Sequence, residues 1–137
     1  NDFFGWPYIY YGNYKDPRVK ELMPNNLHLR SPDYALGSHV AALGLVFSNV
    51  SQFKSPFNNG VFVSEHGSWN RKPRSGYKVV FIAFENDKPH GLPIDVVTDF
   101  VVNDEAYGRP VGLVIDSKGN LLIADDVGNR IWLVKPK

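Results

Sequence analysis

The sequence has no cysteine. Disulfides, thiol catalysis and cysteine-ligated metal centres are therefore excluded. Long apolar runs are missing too, and no stretch approaches the roughly 18 residues of a membrane-spanning helix. Neither sign of charge dominates: Lys and Arg number 15 against 14 Asp and Glu, a formal net charge of +1. Basic residues cluster no further than Arg71, Lys72 and Arg74 around Pro73. That balance argues against nucleic acid or an anionic membrane as the main partner. Helical periodicity is scarce, with one helical turn expected across residues 18–22. The chain opens on Asn1, with neither methionine nor a signal peptide, as expected of a processed or trimmed piece of something longer.

Aromatic residues are plentiful at the start, where Phe3, Phe4, Trp6, Tyr8, Tyr10 and Tyr11 surround Gly5 and Pro7. Residues 8–11 have strand propensity, and such large rings are expected to form a packing layer. Residues 14–32 carry Pro17, Pro24 and Pro32 with few periodic apolar positions. They read as a long loop, and loops beyond about 12 residues are usually functional or disordered. From Asp33 onward the pattern is short β-rich runs at 40–47, 61–63, 78–84 and 96–102, with turns at 56–60, 74–76 and 86–89. A second set follows at 111–115, 121–124 and 131–134, with turns at 116–120 and 127–129.

The two sets are alike in kind. In each, a second strand ends in a polar turn, at His66 in one and at Asp125-Asp126 in the other. A repeat of about 40–50 residues with four strands per unit is the signature of a β-propeller blade. The expected fold is thus all-β, a β-propeller. Residues 1–32 form an aromatic segment and long loop, 33–102 one four-stranded blade, and 103–137 most of a further blade. At about 40–50 residues per blade the chain supplies two to three, where closed propellers need roughly 4–8. Either it is part of a larger domain, the favoured reading, or copies assemble to close the ring.

The chain turns around His66-Gly67-Ser68-Trp69-Asn70-Arg71, a polar, aromatic and cationic cluster between two apolar runs. Loops on a rigid scaffold are where binding chemistry concentrates. Arg71, and Arg109 held between Gly108 and Pro110, can each offer a planar fork to a carboxylate; a surface salt bridge is the alternative. His66 sits next to Gly67, where backbone can approach a ligand closely, and either binds one or is a satisfied structural histidine. His39 precedes a strand and is open to the same two readings. A zinc pair of His39 and His66 lacks a third ligand. Trp69 either stacks on a ligand or packs the blade. Asp125-Asp126 could attract a hard cation, but is expected to tie the hairpin to its turn or to pair with Arg130. His28 and His90 read as solvated.

Several stretches together resemble the sorbosone/glucose dehydrogenase family, soluble quinoproteins that use pyrroloquinoline quinone (PQQ). They are Phe4-Gly5-Trp6-Pro7-Tyr8, Ser38-His39 leading into residues 43–47, and Glu65-His66-Gly67-Ser68-Trp69-Asn70-Arg71 with Gly76-Tyr77-Lys78-Val79-Val80. Gly108-Arg109-Pro110-Val111 and residues 119–126 with Ile131 complete the match. The resemblance implies a six-bladed propeller of which this chain covers roughly the last two to three blades. It also implies PQQ as cofactor, a calcium ion, a sugar or sugar-derived substrate oxidised by hydride transfer, and a periplasmic or extracellular location. The electron acceptor is left open. Cofactor contacts fall on Arg71, Arg109, His66 and His39, and substrate-side positions on Trp69 and Asn70. The family's base histidine and its calcium ligands lie upstream of Gly5-Trp6-Pro7, so no catalytic or metal residue is expected here, and the isolated chain is expected to be inactive. The alternatives are a non-catalytic propeller binding scaffold and a metal-dependent propeller lactonase.

Overall fold

The computed structural model describes residues 2–137. Among them there is no α-helix, only strands, turns and one 3-10 turn at Ser48–Val50. The chain divides into two compact units, residues 1–35 and 36–137.

The first unit is built on a small hairpin of β1 (Ile9–Tyr10) and β2 (Tyr14–Lys15). Tyr11 and Gly12 at its tip both have positive φ, which is where glycine relieves the strain of a tight turn. Tyr10 pairs with Tyr14 across the hairpin, and their rings stack with centroids 5.9 Å apart. Both rings are exposed, as are Phe4, Trp6 and Tyr11. The expected helical turn at residues 18–22 does not form. The Asp16 carboxylate accepts the backbone N–H of Arg18 at 3.0 Å and its side-chain Nε at 2.8 Å, closing a turn of another kind. Hydrogen bonding from the Arg18 side chain, then from its backbone, lowers the Asp16 pKa to about 2.

The second unit holds the two main sheets. Strands β3 (Ala42–Phe47), β4 (Gly60–Glu65), β5 (Lys78–Glu85) and β6 (Lys88–Val97) pair in chain order as one antiparallel sheet. A small hairpin of β7 (Val101–Val102) and β8 (Glu105–Ala106) follows. Then β9 (Pro110–Ile115), β10 (Leu121–Asp125) and β11 (Arg130–Val134) make a three-stranded antiparallel sheet. Every residue of β4 is buried, so this inner strand shows no polar alternation, as expected of a strand covered on both faces. Phe62 and Phe81 are direct cross-strand partners with ring centroids 4.9 Å apart. With Val79, and with Leu121 and Ile123 from β10, they form the core between the sheets. Leu122 on β10 pairs with Val114 and Leu133 on its flanks; this row lies on the other face of the sheet, and Val114 is 52% exposed.

The fourth strand differs from expectation. It was expected at residues 96–102 and runs instead from Lys88 to Val97. Asn86 and Asp87 alone make the turn, both with positive φ, and Phe84 pairs with Pro89 at once. Pro89, Gly91 and Pro93 look like breakers in the sequence. The prolines are tolerated because β6 is an edge strand, where a missing N–H breaks no inner ladder bond, and Gly91, at φ +74°, falls where the register with β5 shifts.

Gly44 sets how closely the two sheets approach. Its N–H donates to Ser64 Oγ at 2.8 Å, and Ser64 Oγ donates to the Val111 carbonyl of the other sheet. A Cβ on Gly44 would overlap that same carbonyl. Gly44→Ala therefore must push β3 off β9 and is expected to cost about 1–3 kcal/mol, the range for overpacking a tight interface. Urea denaturation measures it, and an unchanged midpoint would contradict this account of the packing.

Candidate functional site

Topology gathers the polar motifs at one end of the second unit. Ala42 at the start of β3 pairs with Glu65 at the end of β4, and Pro110 at the start of β9 pairs with Asp125 at the end of β10. Beyond those ends the 39–41 segment stays attached to the loop after β4. His66 N donates to Ala41 O at 2.9 Å and Gly67 N to Val40 O at 2.8 Å. His39, His66, Trp69, Asn70, Arg71, Arg109 and Asp126 are thus all carried by segments leaving the same end.

Arg109 locks this loop. Its Nε donates to the His66 carbonyl at 2.9 Å and its Nη2 to the Gly67 carbonyl at 2.6 Å. Its guanidinium also lies over the Tyr77 ring, 5.1 Å from the centroid. A second guanidinium, Arg74, contacts the same ring at 5.6 Å and donates to the Tyr77 hydroxyl at 2.9 Å. That hydroxyl in turn donates to the Ser68 carbonyl. Tyr77 is buried, and a Cβ at Gly67, whose φ is +95°, would overlap its ring. The tyrosine is the post around which the loop is wound. Tyr77 stands in the sequence beside Gly76, nine residues after the Gly67-Ser68 turn it packs against, and neither the spacing nor the residue type marks that role.

Asp125 anchors the opposite sheet to the same point. It is buried and accepts hydrogen bonds from Arg109 N at 2.8 Å, Gly128 N at 2.8 Å and Trp132 Nε1 at 3.0 Å. Burial alone pushes its carboxyl up, but the Arg109 N–H, the Trp132 indole and the Gly128 N–H together hold it below its usual value. The carboxylate ties the hairpin to its turn, as expected; Arg130 lies over the Trp132 ring instead, 5.5 Å from the centroid. Asp126, its neighbour, faces His66: Nε2 is 3.2 Å from each carboxylate oxygen. Asp126 also lines an open cleft of about 440 Å³ with Val111, Asn129, Arg130 and Ile131.

The remaining positions are open. Arg71 is exposed and uses Nη1 on the Ser38 carbonyl at 3.1 Å and the Ser38 hydroxyl at 2.7 Å, which brings it beside the turn that carries His39. Its Nε and Nη2 have no partner among the described residues. Trp69 is 82% exposed, so it does not serve as a packing residue within this chain, and Asn70 and His39 are exposed as well. Glu65, one residue before His66, is buried; desolvation pushes its carboxyl up, partly offset by Lys78. Among the described residues no three His, Asp or Glu side chains cluster in a way that could hold a metal ion.

Stacked small antiparallel sheets with a polar, cationic end define a propeller-like all-β protein. Comparison with known proteins gives the family. A family profile described as TrAA12-like matches residues 21–137, and the chain belongs to that family. An uncharacterized protein of Borreliella burgdorferi is 32% identical over 135 residues, covering 97% of this chain and 36% of its own length. The pyrroloquinoline quinone-dependent pyranose dehydrogenase of Coprinopsis cinerea is 27% identical over 129 residues, covering 80% of this chain and 17% of that protein. The holo form of its PQQ domain matches with a TM-score of 0.53 at 28% identity, over 71% of this chain and 27% of that one. A crystal structure of glucose dehydrogenase shares the fold at a TM-score of 0.64, with 18% identity over 98% of this chain and 35% of its own. The kinship with PQQ sugar dehydrogenases expected from the motifs is borne out. The chain spans about a third or less of these curated relatives. Among the described residues no helix is long and apolar enough to cross a membrane.

Proposed function

We propose that this chain is part of a PQQ-dependent sugar dehydrogenase, forming two to three blades of a six-bladed propeller and one wall of its quinone site. The observation that carries the proposal is the exposed Arg71, with two unpartnered donors, on the same loop as the exposed ring of Trp69 and the part-buried His66. PQQ is planar and carries three carboxylates, so it needs fixed cations and flat walls. Arg71 fits one carboxylate through Nε and Nη2, and Trp69 offers the flat wall. Arg109 fits less well, because its Nε and Nη2 already hold the loop and only Nη1 remains. Its part is to keep the loop in shape. His39 and Asn70 are exposed at the same end of the unit.

Bound there, PQQ would supply the two-electron acceptor for oxidation of a sugar hydroxyl or aldehyde. This chain's residues bind and orient; the base and the calcium ligands belong to other parts of the propeller. Family membership supports a periplasmic or extracellular setting. A non-catalytic binding scaffold is the second reading, and the commitment of Arg109 to backbone carbonyls is what favours it.

The two readings separate in a titration of the chain with PQQ, followed by quinone absorbance. Arg71→Ala is expected to weaken binding by about 10-fold or more, since a hydrogen bond to a charged group contributes ~1.5–3 kcal/mol. Equal affinity of the wild type and the variant would remove Arg71 from the site. No quinone binding by the wild type would leave the scaffold reading.

A further inference from the structure

His66 is held at three of its four polar positions. Its N–H is bound to Ala41 O, its carbonyl accepts Arg109 Nε, and its Nε2 meets both oxygens of Asp126. Only Nδ1 has no partner among the described residues. No buried side-chain nitrogen or oxygen among those residues lacks a hydrogen bond, and the His66 side chain is 17% exposed, so Nδ1 is the ring's outlet to solvent. An ionised carboxylate only accepts hydrogen bonds, and in a neutral imidazole one nitrogen donates while the other accepts. Facing Asp126, the neutral ring carries its proton on Nε2 and its lone pair on Nδ1. The partner that fixes one ring nitrogen decides what the other can do.

From this we infer that Asp126 is a positioning residue, fixing His66 in one tautomer so that Nδ1 accepts a hydrogen bond from a hydroxyl group of the bound ligand. The inference deepens the proposed function, on which the identity of the ligand as a sugar rests. His66 follows β4 in one sheet and Asp126 follows β10 in the other, so the acceptor is oriented by both sheets at once. Asp126 is 56% exposed, which makes its replacement compatible with folding. No bond is made or broken in this contact; the hydroxyl proton stays on the ligand oxygen.

The test is nitrogen NMR of the full chain labelled at histidine. The chain has four histidines, and the His66 signals are assigned by their loss in His66→Gln. In the wild type the neutral ring is expected to be almost wholly the Nε2–H form, and D-glucose added with PQQ should shift Nδ1 while Nε2 hardly moves. Asp126→Asn, whose amide can donate to Nε2, is expected to raise the Nδ1–H form several-fold and to abolish the response to glucose. Asp126→Glu should restore both. An unchanged tautomer ratio in Asp126→Asn, or an Nδ1 signal indifferent to glucose in the wild type, would overturn the inference. If Nδ1 responds to glucose while PQQ does not bind, the quinone reading fails and this one stands.

Discussion

Asp125→Ala is expected to cost about 3–5 kcal/mol, the largest loss of any single substitution considered. The carboxylate collects three donors from three places: Arg109 N, Gly128 N and Trp132 Nε1. Each hydrogen bond to a charged group is worth ~1.5–3 kcal/mol, and removing an acceptor strands its donors. Water entering the space left behind returns part of that, so the total resembles the ~3–5 kcal/mol of breaking a buried charged pair. The carboxylate is closely packed, since a Cβ on either Gly108 or Gly128 would overlap Asp125 Oδ2. The sign of the pH dependence follows from a folded pKa below the usual 3.8. The contribution is complete above the unfolded value and is lost as pH falls through the lower folded value. Urea denaturation of wild type and variant near pH 7 measures the difference, which should shrink in acid. A loss under about 1 kcal/mol would mean that the three bonds are not carrying the turn.

Arg109→Ala is expected to cost about 2–4 kcal/mol and to release the loop that carries His66. Two backbone carbonyls lose a charged donor, and Tyr77 loses one of the two guanidinium groups that flank its ring, a contact worth about 0.5–2 kcal/mol. Arg109→Lys should recover less than half of the loss. A lysine ammonium is a point charge without the planar fork that reaches both carbonyls. The check is chemical denaturation, with amide exchange at residues 66–68 as a local reading. Full stability in the lysine variant would contradict the fork as the source of the energy.

Much of the fold could be read from the sequence because most strands alternate or run apolar between clear turn residues. β3, β4, β5, β9, β10 and β11 all fall on such runs. β6 could not be read this way, because its prolines and Gly91 signal a break; the sheet edge makes the prolines harmless and the register shift opposite residues 81–83 takes up Gly91. The turn at Asp16 and Arg18 was hidden for a related reason: a side chain reaching its own backbone two residues on leaves no periodic pattern. At the site, the sequence showed which residue types sit together but not how each is used. Arg71 and Arg109 look alike as arginines in glycine- and proline-flanked turns. What separates them is register: β9 begins where its first residues meet the loop after β4, so Arg109 finds two carbonyls, while Arg71 finds Ser38 and solvent. The contact between His66 and Asp126 joins residues 60 apart in sequence, and pairing them needed both sheets in place.

The most direct test of the account is to titrate the isotopically labelled chain with PQQ and follow which amide and side-chain signals move. The account predicts shifts confined to one end of the second unit, at His39, His66, Trp69, Asn70 and Arg71, with β6 and the β7–β8 hairpin silent. Shifts centred anywhere else, or none at saturating quinone, would contradict the claim that this end of the sheets is the quinone wall.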